Sequence, residues 1–207
     1  MSGHDDFAME PIQGLPERPP LGEEILWQGR PATLALARDA FKVTWVAGYF
    51  VALALWRVVA VADSATTVVA VALPYIGIGL VVCSILIALA AVQARTTVYT
   101  VTTARVAMRI GSALTVTLNL PFRQIGNATL ALRGTTGTIA LETLGETRIS
   151  YLVCWPHVRP WHFAKTQPAL RCIPDAARVA KLLAEAAEVR LNEPVVARAG
   201  LQMAAAE

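Results

Sequence analysis

The run VTWVAGYFVALALWRVVAVA occupies residues 43–62, DSATT follows at 63–67, and VVAVALPYIGIGLVVCSILIALAAV fills 68–92. This stretch holds a single Arg and a single Asp, in a chain of 207 residues with 18 basic and 15 acidic side chains. Twenty helical residues rise about 30 Å, the thickness of a bilayer's hydrocarbon core. The second run carries no charge and is long enough to span with tilt. So short a connection makes the two helices antiparallel neighbours. The reading is a two-helix transmembrane hairpin, 43–62 and 68–92.

Basic residues set its direction. Arg30, Arg38 and Lys42 precede the first span, and Arg95, Arg105 and Arg109 follow the second. The connection has none, so the positive-inside rule puts both termini in the cytoplasm. The position and length of the first run do not suit a cleavable signal peptide.

Composition narrows the function classes. The chain is 55% hydrophobic and 16% charged, with mean hydropathy +0.50. Disorder is excluded by these values, and an ordinary soluble enzyme fits them poorly. A net charge of +3 without a Lys/Arg block gives no reason to expect nucleic acid. Cys83, Cys154 and Cys172 form no CxxC pair, so they read as reduced structural thiols.

Within the spans, Arg57 lies close enough to the connection to snorkel to the outer interface, or to meet a partner helix or lipid headgroup. Gly48, Gly77 and Gly79 suit close helix approach, to a partner or to a second copy. No His lies in either span, so neither offers an axial ligand to chlorophyll or haem.

Residues 1–42 read as a proline-rich arm and interfacial lead-in. Pro11, Pro16, Pro19, Pro20 and Pro31 resist helix. Ile25, Leu26 and Trp27 form an apolar patch that suits the polar domain or the membrane surface. Leu34, Phe41 and Trp45 recur near helical spacing, a lead-in continuous with the first span.

After Gln93 the pattern turns to period two, and residues 93–190 read as a cytoplasmic domain. Strands are predicted in Thr96–Thr103, 106–110, 114–120, 129–133, 139–142 and 148–151, with turns at Gly111-Ser112, 134–137 and Gly145-Glu146. Short strands joined mostly by tight turns pair antiparallel. Asp175–Arg190 carries Val179, Leu182, Leu183, Ala186 and Val189 as one helical stripe, with Pro174 at its first turn. Residues 191–207 read as a frayed tail. The fold class is α+β: a membrane hairpin followed by an antiparallel β-barrel or sandwich capped by a C-terminal helix. That is a pleckstrin-homology-like (PH-like) layout.

Two segments carry a resemblance at this level. Tyr99-Thr-Val-Thr-Thr-Ala-Arg-Val-Ala-Met-Arg-Ile-Gly111 resembles the opening hairpin of bacterial PH domains that follow a two-helix hairpin, and Glu24-Ile-Leu-Trp-Gln-Gly-Arg-Pro31 resembles their lead-in. Further runs are more specific. They are His4–Phe7, Glu10–Glu17, Trp45–Phe50, Gly111–Arg123, the run Tyr151-Leu-Val-Cys-Trp-Pro-His-Val-Arg-Pro-Trp-His-Phe-Ala-Lys165 and Gln167–Asp175. Together they resemble the PuhB-type photosynthetic-complex assembly proteins of purple bacteria, over nearly residues 4–187. The resemblance implies assistance in assembling the reaction centre and its core light-harvesting antenna in the inner membrane.

No P-loop, GxGxxG after a strand, GxSxG, HExxH or paired-carboxylate motif is present, so no enzyme is expected. No cofactor is expected either. His157 and His162 stand five apart among prolines, which is not a helical metal pair. They read as loop residues, as partner contacts, or as ligands to bacteriochlorophyll or a metal. Trp155, Arg159 and Trp161 are typical interface anchors. The alternative is that both Trp rings close the barrel mouth or sit in the headgroup layer. Arg105, Arg109, Arg123, Arg133 and Arg148 are scattered over strands, and either meet anionic lipid or solvate the wet face.

The leading expectation is a non-enzymatic assembly factor that binds reaction-centre subunits and core antenna polypeptides. The candidate contact residues are Trp155, His157, Arg159, Trp161, His162, Gly48, Arg57, Gly77 and Gly79. The alternatives are a lipid-sensing scaffold or a bacteriochlorophyll-handling carrier.

Overall fold

The computed structural model describes residues 14–15, 19–20, 22–61, 64–111, 115–145 and 149–192. Expectations for His4–Phe7, Pro11, Pro16, Asp63, Ser112, Glu146, Arg148 and the tail from 193 onward lie outside these residues.

The chain divides into two units, 31–96 and the segments on either side of it. The first unit is helical. Helix α1 (Thr33–Asp39) buries Ala35, Leu36 and Ala37, α2 runs Val43–Val61, and α3 runs Ala65–Thr96. The expected lead-in is not continuous with α2. The hydrogen-bonded turn at Ala40 closes α1, and Lys42, at φ 57°, breaks the path before α2 begins. Helices α2 and α3 are each long and apolar enough to cross a membrane. At 1.5 Å per residue α3 extends about 48 Å, beyond the hydrocarbon core, so its end at Arg95 stands clear of the apolar run.

The three span glycines differ. A Cβ on Gly79 would stand 2.8 Å from Cβ of Phe50, so α2 and α3 meet there. Gly48 and Gly77 have nothing of the described chain within 4 Å of where a Cβ would stand. Arg57 is exposed just before the last turn of α2.

Among the described residues the second unit holds seven strands. β1 (Ile25–Gly29), β2 (Val98–Thr102), β3 (Arg105–Ile110) and β4 (Val116–Pro121) make one antiparallel sheet in that order. A 3-10 turn at Phe122–Gln124 leads to β5 (Ile125–Arg133), β6 (Thr136–Thr143) and β7 (Ala169–Pro174), the second sheet. Between β6 and β7 lies one helical turn, α4 (Tyr151–Cys154), and α5 (Ala176–Asn192) closes the core. Tyr99, Val101, Met108, Phe122, Leu141, Leu170 and Ile173 pack with Val179 and Leu183 of α5.

Six expectations change. The two sheets are not joined into a closed barrel, because β4 and β5 do not pair among the described residues; the fold is an open sandwich. The Ile25-Leu26-Trp27 patch belongs to no arm: Trp27 pairs with Val101 and Gly29 with Tyr99. The sheet therefore begins before the helical hairpin, which is inserted between β1 and β2, and the boundary at residue 93 gives way. Tyr151 starts a helical turn rather than a strand. Pro174 ends β7, with Asp175 at φ 52° making the corner into α5, and Val189 is 67% exposed, off the buried stripe.

The start of the chain's described part is tied down as well. Glu23 receives Arg105 Nε at 2.7 Å and Nη2 at 2.8 Å, and Thr102 Oγ1 at 2.6 Å. Burial would raise its pKa, but these hydrogen bonds and the Arg105 and Arg190 charges prevail and hold the carboxyl below its usual range. Arg105 is thereby committed to a carboxylate, and Arg109 is buried at 5% exposure. These two members of the scattered Arg set therefore do not form an open lipid-headgroup patch.

Candidate interaction site

The segment between β6 and β7 builds the site. Its base is a short ladder. Val158 bridges Pro168, the Arg159 N–H donates to Gln167 O at 2.8 Å, and the Ala169 N–H donates to His157 O at 2.9 Å. Residues 160–166 are thus projected as a loop whose two ends are clamped.

His157 anchors that base from inside. It has no exposed surface. Tyr99 Oη donates to its Nδ1 at 2.5 Å, and its Nε2–H donates to Thr97 Oγ1 at 3.0 Å. This tautomer follows from the network. Tyr99 Oη already accepts the Arg171 N–H at 3.3 Å, which leaves its own proton for His157. Burial, seconded by the Arg171 guanidinium, pushes the imidazole pKa down to about 3. Burial likewise raises the Tyr99 phenol and the Cys154 thiol. Arg171, 6% exposed, donates Nη1 to Pro156 O at 3.1 Å, and its Nε has no hydrogen-bond partner. His157 is therefore a neutral core residue with both ring nitrogens engaged. That removes it from the candidate contacts and from the possible pigment or metal ligands, since a ligand or partner needs an accessible lone pair.

The other loop candidates face outward. Trp161 is 84% exposed at φ 66°. Its ring stands edge-on to Phe163 at 6.2 Å, and Phe163 meets Tyr151 at 4.5 Å. Leu152 and Val153 on α4 are exposed beside Tyr151. Trp155 is 39% exposed, so neither Trp ring is a core plug. Arg159 is half-buried and donates Nη1 to Gln167 Oε1 at 3.0 Å, which fixes its arm along the loop base. His162, half-buried, donates Nδ1–H to Pro160 O at 2.9 Å. Lys165 pairs with Glu142 at 2.9 Å.

Ring contacts thus join Trp161, Phe163 and Tyr151, and Leu152 and Val153 are exposed on the helical turn that Tyr151 begins. Sequence reasoning named only Trp161 of these. The available signal is the apolar run Tyr151-Leu-Val, which breaks the period-two alternation after Tyr151. Among the described residues no cluster of three His, Cys, Asp or Glu side chains is placed to hold a metal. These residues offer aromatic faces and a few fixed donors.

The bacterial PH domain family matches residues 41–187. The chain belongs to that family. It is also 46% identical over 215 residues, covering 100% of both chains, to a protein of Rhodobacter capsulatus described as an uncharacterized 23.7 kDa protein in the puhA 5' region. No solved structure matches the chain. The bacterial PH domain is a non-catalytic fold family, and no enzyme family is indicated.

Proposed function

We propose that this protein is a non-enzymatic assembly factor for the photosynthetic reaction centre and its core antenna, acting from the inner membrane with both termini cytoplasmic. The observation that carries the reading is the exposed surface built around Trp161. A large aromatic held outward on a clamped loop is what protein interfaces use as an anchor, because little side-chain freedom is left to lose on binding. Contiguous exposed apolar patches on soluble domains mark interaction sites.

Two further observations support it. The Rhodobacter capsulatus relative is described as lying in the puhA 5' region. Trp45, Leu55, Val59, Leu73 and Leu80 are exposed around α2 and α3, a surface that lipid or other transmembrane helices would cover. Arg57 and Gly48, both outward on α2, are contacts available to a client's helix.

The test is a gene deletion complemented with the full chain. Reaction-centre and core-antenna polypeptides should fall in the deletion strain while their transcripts stay level. A photo-crosslinker placed at Trp161 should recover one of those polypeptides from membranes. Normal accumulation in the deletion strain would end this reading.

A further inference from the structure

We propose that the groove between β5 and α5 is a second binding site, which takes an extended, apolar segment of a client polypeptide as an added strand on the edge of β5. This inference rests on the assembly-factor reading for its choice of partner.

Among the described residues β5 is the first strand of its sheet and pairs only with β6. Its nine residues make it the longest edge in the unit, against five for β1 and six each for β4 and β7. β4 ends in Pro121 and β7 in Pro174, while β5 has no proline and no charge before Arg133. Edges normally carry such blocking residues, because an open row of N–H and C=O groups templates further pairing.

Register tells which groups are open. The two-residue turn Gly134-Thr135 makes Arg133 and Thr136 a hydrogen-bonded pair. Alternation then turns Thr129 and Ala131 toward β6, and the N–H and C=O of Ala128, Leu130 and Leu132 toward the open edge. Ala128 and Leu130 also line a groove of about 340 Å³ whose other wall is Ala180, Ala184, Ala187 and Leu191 of α5. Here the sandwich is open, and Leu130 keeps 38% of its surface exposed.

An added strand would meet both needs. Its backbone would pair with the β5 edge, and its inward side chains would enter the groove and cover the core's open side. Charge selects the occupant. The groove's lining has no charged side chain and only one polar one, Asn127. A lipid headgroup or an acidic peptide would bury its charge unpaired there. A neutral segment with apolar residues at alternate positions matches.

The test uses the full chain in detergent micelles, with synthetic peptides tiled over the extramembrane segments of reaction-centre and core-antenna polypeptides. A binding peptide should slow amide exchange about tenfold or more at Ala128, Leu130 and Leu132, and leave Thr129 and Ala131, already paired, unchanged. Ala184→Glu should abolish that protection by placing a charge in the groove. Ala128→Pro should abolish it by removing an edge donor while the β6 ladder stays complete. Three results overturn the proposal: no peptide protects these amides, protection arises without peptide through concentration-dependent dimerisation, or both variants keep it. Complementation separates this from the function itself. If the deletion lowers reaction-centre levels and the Ala184→Glu and Ala128→Pro chains both restore them fully, the groove is not the client site and the assembly role stands. If deletion changes nothing yet a peptide protects the edge, the groove stands and the assembly role falls.

Discussion

Tyr99 and His157, on β2 and at the foot of the loop, share a 2.5 Å hydrogen bond although 58 positions separate them in the chain. With Thr97 and the Arg171 N–H they form a buried polar chain that ties the first sheet to the base of the loop. Each ring atom able to bond is engaged, so the loop's outward residues rest on an ordered support.

That network makes stability depend on pH. His157 has a folded pKa of about 3 against an ordinary value of 6.5, so between these limits only the unfolded chain binds the proton. Its contribution is complete above about 6.5 and falls as pH drops toward 3, by about 1.4 kcal/mol per unit. Urea unfolding of the micelle-bound protein from pH 7 to 4 should show this slope. In His157→Gln the slope should flatten; an unchanged slope would assign it elsewhere.

Removing the phenol tests the same network by another route. Tyr99→Phe leaves His157 Nδ1 and the Arg171 N–H without a partner in a buried place. A loss of about 1–3 kcal/mol is expected, read as a lowered urea midpoint at constant slope.

Glu23 should report in a lower pH window. Its folded pKa is depressed, so its contribution is present above the ordinary carboxyl value and is lost as pH falls through the folded one. Glu23→Gln should cost about 2 kcal/mol at pH 7, the scale of hydrogen bonds to charged groups, and little once the carboxyl is protonated in wild type. Equal losses at pH 7 and pH 3 would contradict the ion pair's role.

In the helical unit, Gly79→Leu should force Phe50 away and cost about 1–3 kcal/mol through overpacking. Gly77→Leu, facing open space, should be close to neutral. Thermal unfolding in micelles distinguishes them, and equal effects would mean that α2 and α3 do not meet at Gly79.

Trp161→Ala should leave stability within about 0.5 kcal/mol, as surface substitutions do, while reducing reaction-centre accumulation in the complemented strain. A destabilised variant would show the ring to be packing rather than contact.

How much of this was legible beforehand depended on whether neighbours in space were neighbours in sequence. The helices at 43–61 and 65–96 were readable because an apolar run needs no tertiary partner to be recognised. β2 to β6 were readable because one face of each was expected to be wet. β7 was missed. Its residues are buried from Ala169 to Ile173, and Cys172 at φ 53° interrupts the register, so no alternation survives. His157 looked like a loop histidine because its partners, Thr97 and Tyr99, lie about sixty residues away.

The amino-acid sequence alone determined the apolar hairpin, the antiparallel strands after it, the closing helix and the absence of a catalytic motif, since each is written in local composition and period. Only the tertiary structure decided that β1 joins the sheet across the inserted helices, that His157 is core while Trp161 is surface, and that β5 is left with an open edge. Those are pairings between distant segments, and local pattern does not encode which distant segment a residue will meet.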